Sequence, residues 1–248
     1  MEIYDKKENG NILTFVLKAN YAFANALRRT LLSEIPTLAI NEVDIYENSS
    51  SFTDEFIAHR LGLIPLEANP KKFKFAKDCC DGQCEKCAAI FALDVEGPGM
   101  IYSKSLKSKN QNAAVAEKKI PIIYLKEKQK LRIEGKAVLG IAKDHAKFQC
   151  CYATYRAKPI LEIPKNVDKK IVDICPKKAL TWKNNEIIFD EWKCIGCKKC
   201  EQFGAQLKYS DEEFLFTLES YNNIPPKDLL KEGLKILAEK ASAKIEKG

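Results

Sequence analysis

The sequence predicts an α+β protein. Three observations predict it: an amphipathic helical pattern near each end, a middle dominated by β-type alternation, and a cysteine-bearing segment in the last third spaced C-x2-C-x2-C. At 248 residues with 46% apolar content, the chain has material for a real core and for more than one domain, which excludes intrinsic disorder.

The elements follow in order. Residues 12–17 form an apolar, β-rich run, and Asn20 then stands as N-cap to a helix over 21–35 carrying Phe23, Ala26, Leu27, Leu31 and Ile35 on one face. Pro36 ends it, because proline cannot donate the next hydrogen bond and disfavours helical geometry in the residue before it. A strand over 38–46 follows, then a short helix over 54–61 with Gly62 as its left-handed terminator and Pro65 beyond. Ala89, Phe91, Leu93 and Val95 alternate as a half-buried strand closed by Gly97-Pro98-Gly99. Residues 103–119 are polar, Lys-rich and aperiodic, and read as an exposed loop. Strands resume over 120–125 and 131–141, where Gly135 and Gly140 mark bulges or close backbone approach. The composition shift over 159–170 marks a boundary. After the cysteine segment, Phe214, Phe216 and Leu218 alternate as a strand, and a helix opens at Pro225-Pro226 with Leu230, Leu234, Leu237, Ala241 and Ile245 as a narrow apolar seam.

Charge and cysteine usage narrow the function. The net charge is +7, yet only five cations are arginines and the lysines are scattered among acids. That argues against sequence-specific DNA recognition, which relies on arginine to read guanine edges. No uncharged apolar run approaches the roughly 20 residues a membrane span needs, and the opening MEIYDKKENG lacks a secretory h-region, so a cytoplasmic chain without membrane contact is expected. Ten cysteines in a reducing compartment are then read as ligands rather than disulfides.

Cys194, Cys197 and Cys200 have the spacing by which successive thiolates wrap three corners of an iron–sulfur cubane, and Cys175-Pro176 supplies the remote fourth ligand. Zinc is the competitor, but a single ion does not need the third evenly spaced thiol. Lys165, Asp168 and Ile171 stand where a second cluster would need cysteines, so one [4Fe–4S] or [3Fe–4S] cluster is expected. Segments of about 40 residues bury little apolar surface, which favours a structural role. Cys84-x2-Cys87 forms a second knuckle, with Gly82 aiding its turn and Cys79 or Cys80 completing a zinc tetrahedron; neighbouring side chains diverge, so both joining one ion requires a local kink. Cys150-Cys151 read as buried packing, and His59 and His145 as structural histidines. No nucleophile, acid–base or G-x-G-x-x-G constellation is present. A ferredoxin-domain electron-transfer subunit of an oxidoreductase is the alternative function.

Three motifs carry a family resemblance. Residues 25–36 (NALRRTLLSEIP), residues 39–43 (AINEV) and residues 54–66 (DEFIAHRLGLIPL) resemble the alpha-type assembly subunit of multisubunit DNA-directed RNA polymerases, and residues 140–148 with the cysteine insertion resemble the archaeal form of that subunit. The resemblance implies a discontinuous dimerisation domain over 1–37 and 208–248, a β-rich insert domain over 38–164 and a nested ferredoxin-like iron–sulfur domain over 165–207. It implies a transcription scaffold without catalytic residues of its own in a nucleotidyltransferase holoenzyme. Its partners would be the small alpha-like subunit L in a heterodimer, then subunits N and P and the large second subunit. Leu27, Leu31, Leu230, Leu234 and Leu237 would supply the dimer interface, with Arg28 and Arg29 on the platform's contact surface. Eukaryotic members of the family carry a zinc loop whose C-x3-C-x2-C part fits Cys80, Cys84 and Cys87, with the first ligand displaced onto Cys79.

Overall fold

The structure, a computed structural model, describes residues 1–68, 72–80, 84–164, 166–184 and 186–245. Gly82, Lys165 and the side chain of Ile245 lie outside what is described. The elements are β1 (Glu2–Asn9), β2 (Ile12–Lys18), α1 (Tyr21–Ser33), β3 (Thr37–Asn48), α2 (Asp54–Gly62), β4 (Leu66–Ala68), β5 (Ala88–Glu96), β6 (Gly99–Tyr102), β7 (Lys107–Ser108), β8 (Ala113–Val115), β9 (Pro121–Leu125), β10 (Lys130–Gly140), β11 (Cys151–Glu162), α3 (Ile171–Ile174), β12 (Leu180–Lys183), β13 (Glu186–Phe189), β14 (Gln206–Ser220) and α4 (Pro226–Ile245). Many strands and few helices make a mixed architecture, in keeping with the α+β expectation. Among the described residues, no helix is long and apolar enough to cross a membrane.

The chain divides into two compact units. The first comprises Met1–Asn9, Leu13–Arg28 and Thr154–Thr217; the second comprises Gly10–Ile12, Arg29–Ala153 and Leu218–Gly248. In the first, aromatic side chains fix the packing of the sheet ordered β1-β2-β14-β11: Phe15 and Phe216, both fully buried, stack at 5.0 Å, and Tyr155 also stacks on Phe216, at 5.7 Å. Two of those strands escape the sequence reading. β1 is mostly exposed, and the 12-residue β11 runs through Pro159, where a boundary was expected. Asn20 caps α1 as expected, its side-chain oxygen accepting from the Phe23 backbone N–H at 2.8 Å.

The second unit is built on the antiparallel sheet β3-β10-β5-β7, whose inner face joins Ile40, Phe91, Leu93, Leu131 and Ile133 to Ile57 and Leu61 of α2. Asp54 and Glu55 in the first turn of α2 and His59 and Arg60 in its last complement the helix dipole. Gly62 is not the left-handed terminator expected. It is the last helical residue, and Leu63 closes the helix in a right-handed conformation, its N–H bonding back to Arg60 and that of Ile64 to Leu61. Residues 103–119 are likewise not an exposed loop. They contribute β7 and β8, and Ser103 is fully buried, donating to the Glu117 carbonyl and accepting from the Ile120 N–H at 3.1 Å. Strands of two and three residues are too short to display a period of two, and polar side chains that satisfy local backbone mask their pairing.

The two strand glycines are explained by close approach. At Gly135 an added Cβ would stand 3.1 Å from the Ile40 side chain of the neighbouring strand, and the irregularities of register lie on either side of it, at 132/133 and 136/137. At Gly140 a Cβ would lie 2.5 Å from the buried ring of Phe148. We therefore expect Gly140→Ala to cost about 1–3 kcal/mol by overpacking, read as a lower urea midpoint with unchanged slope; a wild-type midpoint would show that the ring yields freely.

Candidate metal centres and assembly surface

The first cysteine group is brought together by a tight turn. Residues Ala76–Asp78 form one turn of 3-10 helix, after which Cys79 takes φ −133° and ψ −97°, the kink that lets adjacent side chains converge. The Cys87 and Ala88 N–H groups both bond to the Cys84 carbonyl, at 3.1 and 3.0 Å, folding Cys84-x2-Cys87 into a knuckle. Sulfur separations are 3.6 Å for Cys79–Cys84, 3.4 Å for Cys80–Cys87 and 3.5 Å for Cys84–Cys87, and all four sulfurs lie within 4.8 Å of one another. A tetrahedral ion about 2.3 Å from each thiolate separates the sulfurs by about 3.8 Å, so this group can hold a metal ion. The sequence pattern alone admits Cys79 or Cys80 as the completing ligand; the kink recruits both. Burial pushes the Cys87 thiol up, but hydrogen bonds from the backbone of Cys84, from the Cys80 and Cys84 side chains and from the backbone of Cys80 outweigh it and bring its pKa down to about 6. That favours the thiolate a metal requires.

Cys175, Cys194, Cys197 and Cys200 gather differently. All four line one small cavity whose other walls include Leu161, Ala179, Leu180, Phe189, Ile195 and Leu207. They do not close to the spacing of a single ion, as ligands of a larger cluster need not. The loop curls around the cavity through two left-handed residues, Gly196 at φ +71° and Lys198 at φ +60°. Backbone N–H groups already point at sulfur: Ala179 donates to Cys175 Sγ at 3.2 Å and Gly196 to Cys194 Sγ at 3.4 Å. Such bonds stabilise the thiolate form and tune cluster ligands. Burial pushes the Cys200 thiol above its ordinary range, a backbone hydrogen bond partly offsets this, and the nearby Cys194 and Cys197 raise it again. An apolar pocket lined by all four cysteines, three of them half-buried and Cys197 exposed, and N–H donors to two of the sulfurs together fit an iron–sulfur group.

The remaining residues singled out in the sequence have structural settings. Cys150 and Cys151 are buried, Cys151 donating to the Leu31 carbonyl at 3.2 Å, and a hydrogen bond with Cys150 together with burial holds the Cys151 thiol far above its ordinary range. His145 is exposed and caps the turn at residues 146–148, its Nδ1 accepting from the Lys147 N–H at 3.1 Å; His59 is exposed on α2.

The expected interface leucines divide into two kinds. Leu27 and Leu31 are fully buried and Leu230 is 7% exposed, so a partner cannot rest directly on the first two. Leu234 and Leu237 are only partly buried. Leu229, which the seam omitted, is fully buried, showing that the inward face of α4 is offset by one residue at its start. Lys240 on α4 pairs with Glu34 just beyond α1. Arg28 is half-buried, donating to Asn25 Oδ1 at 3.3 Å, and Arg29 is exposed.

Comparison with known proteins agrees with this architecture. The sequence model of the RNA polymerase Rpb3/RpoA insert domain matches residues 40–150. The chain is 33% identical to DNA-directed RNA polymerase II subunit rpb3 of Dictyostelium discoideum over 97% of its own length and 91% of that relative. It is 34% identical to DNA-directed RNA polymerase subunit Rpo3 of Pyrococcus horikoshii over 95% of this chain and 93% of the relative, and 46% identical to Rpo3 of Methanocaldococcus jannaschii over 61% and 72%. Similar along nearly its whole length to such proteins from archaeal and eukaryotic sources, the chain belongs to the Rpo3/Rpb3 family of DNA-directed RNA polymerase subunits.

Proposed function

We propose that this chain is a non-catalytic assembly subunit of a DNA-directed RNA polymerase, serving nucleotidyl transfer only by holding the subunits that contain the active site. The observation that carries the reading is the extent of the likeness: it spans 97% of the chain, both helical ends and the cysteine segment included. These relatives lend no support to the electron-transfer alternative.

In this reading residues 1–37 and 208–248 form a discontinuous dimerisation domain, 38–164 the insert domain and 165–207 a ferredoxin-like domain. The insert match at 40–150 supports the middle boundary pair. Reciprocal bonds between Asn11 and Ser220, at 2.9 Å from the side chain and 2.8 Å to the Asn11 carbonyl, support joining the two chain ends. Subunit L is the heterodimer partner, and the pair is the platform for subunits N and P and then the large second subunit. Leu234 and Leu237 supply the open part of the interface, backed by Leu27, Leu31 and Leu230, with Arg28 and Arg29 on the platform face.

Cys175, Cys194, Cys197 and Cys200 hold one cluster, [4Fe–4S] or its [3Fe–4S] form, and Cys79, Cys80, Cys84 and Cys87 hold zinc. Bound at either place, the metal supplies cross-links between loops. The cysteines fix the ends of those cross-links, with Cys175, Cys194 and Cys200 half-buried against the apolar cavity wall and Cys197 exposed.

Leu234→Glu or Leu237→Glu should abolish co-purification with subunit L, since each places a carboxylate in a closed seam at a cost on the order of several kcal/mol; heterodimer at wild-type affinity would refute the interface. Serine at both Cys194 and Cys197 should remove iron, unfold the 165–207 segment and weaken recruitment of the later subunits while sparing the L heterodimer, as read by metal analysis and pull-down. Normal assembly of the iron-free protein would contradict a structural cluster. Cys84→Ser and Cys87→Ser should each abolish the zinc measured by plasma mass spectrometry, and zinc retained in both would refute the four-thiolate site.

A further inference from the structure

The loop that carries Cys194 is gripped from outside by a residue to which neither the motif nor the family likeness assigns a role. Arg156, on β11, directs its guanidinium at three backbone carbonyls of that loop: it donates to Glu191 at 2.9 Å, to Trp192 at 2.7 Å and to Cys194. The same stretch is held from within by Asp190, whose carboxylate accepts the Trp192 and Lys193 N–H groups at 3.1 and 3.4 Å. A further tie is the Trp192 indole N–H, which donates to Asp5 at 3.3 Å. Beyond Cys194, the Gly196 backbone seats against Tyr209 of β14, where an added Cβ would lie 2.3 Å from the phenol oxygen. The loop is thus tied to three strands of the first unit's sheet, β1, β11 and β14.

Resting on the iron–sulfur reading above, we infer that Arg156 is a positioning residue for the cluster. Its fork sets the direction in which the Cys194 sulfur enters the cavity, and its charge is held on the backbone carbonyl of that same cysteine. Arginine suits both tasks, because the planar guanidinium reaches several carbonyls at once and remains charged at every physiological pH. Four thiolates around a cubane give the site a net negative charge that rises by one on reduction, so a neighbouring cation favours the reduced form.

The test uses the full chain purified anaerobically with its heterodimer partner, as wild type, Arg156→Gln and Arg156→Lys. Iron and sulfide content, the rate of visible-band bleaching under EDTA, and the midpoint potential in a dithionite titration are measured. Arg156→Gln should bleach about tenfold faster, the value of roughly one charge-assisted hydrogen bond, and reduce at a more negative potential. Arg156→Lys, which keeps the charge but not the fork, should bleach nearly as fast while holding its potential close to wild type. Zinc content and heterodimer yield report whether each variant is folded, and loss of iron with both retained supports the inference. Should Arg156→Gln fail those checks, the lysine variant decides by its bleaching rate. Wild-type protein without iron and sulfide overturns the cluster reading and this inference together. A wild type that holds the cluster, with variants matching it in bleaching and potential, overturns only the role of Arg156.

Discussion

A shortage of apolar surface governs the cysteine-bearing segment. Among its described residues Ile171, Leu180 and Ala205 form the buried cluster, and Val167, Val172, Ile187, Phe189 and Phe203, with Cys175 and Cys200, are only partly buried against it. Its strands β12 and β13 pair over four residues, and α3 is a single turn. So small and partly open a core offsets only a fraction of the entropy lost in ordering some 40 residues. In the proposed cluster, bonds from thiolate to iron would close that gap, since ligation energy absent from the unfolded chain becomes folding energy. The insert sheet has no such need, for there Phe91, Leu93, Leu131, Ile133 and the α2 residues already make a continuous core.

The same contrast between sealed and open surface organises the assembly reading. Leu27, Leu31 and Leu229 have no contact left to give, so they stiffen the helices rather than touch a partner. Leu234 and Leu237 keep part of their surface, a turn or two farther along α4, where another polypeptide can complete the burial. A subunit whose task is to position others has reason to be built of elements that are half core and half interface.

Much of this was legible because it rests on local chemistry. The capping asparagine, the apolar stripes of the end helices and the alternation of β5 and β10 are short-range signals, and the cysteine spacings named both thiol groups. What stayed hidden depends on distant backbone. β1 shows no apolar alternation because its faces are mostly exposed, and β7 and β8 are too short to show any. The meeting of Cys79 with Cys80 turns on one unusual pair of dihedrals, which no residue type dictates. Arg156 left no pattern at all, since its partners are carbonyl oxygens that every residue carries. Gly135 and Gly140 were legible as constraints, yet only the fold shows that Ile40 and Phe148 are what press on them.

The dependence of the cysteine segment on its thiolates is tested most directly by amide hydrogen exchange on the anaerobic protein before and after chelation of iron. Protection across residues 166–207 should collapse to that of unfolded chain when iron leaves, while β3, β5 and β10 keep theirs. Protection in that segment that survives complete iron removal would show that it stands on its own side chains, and the metal-cored description would be wrong.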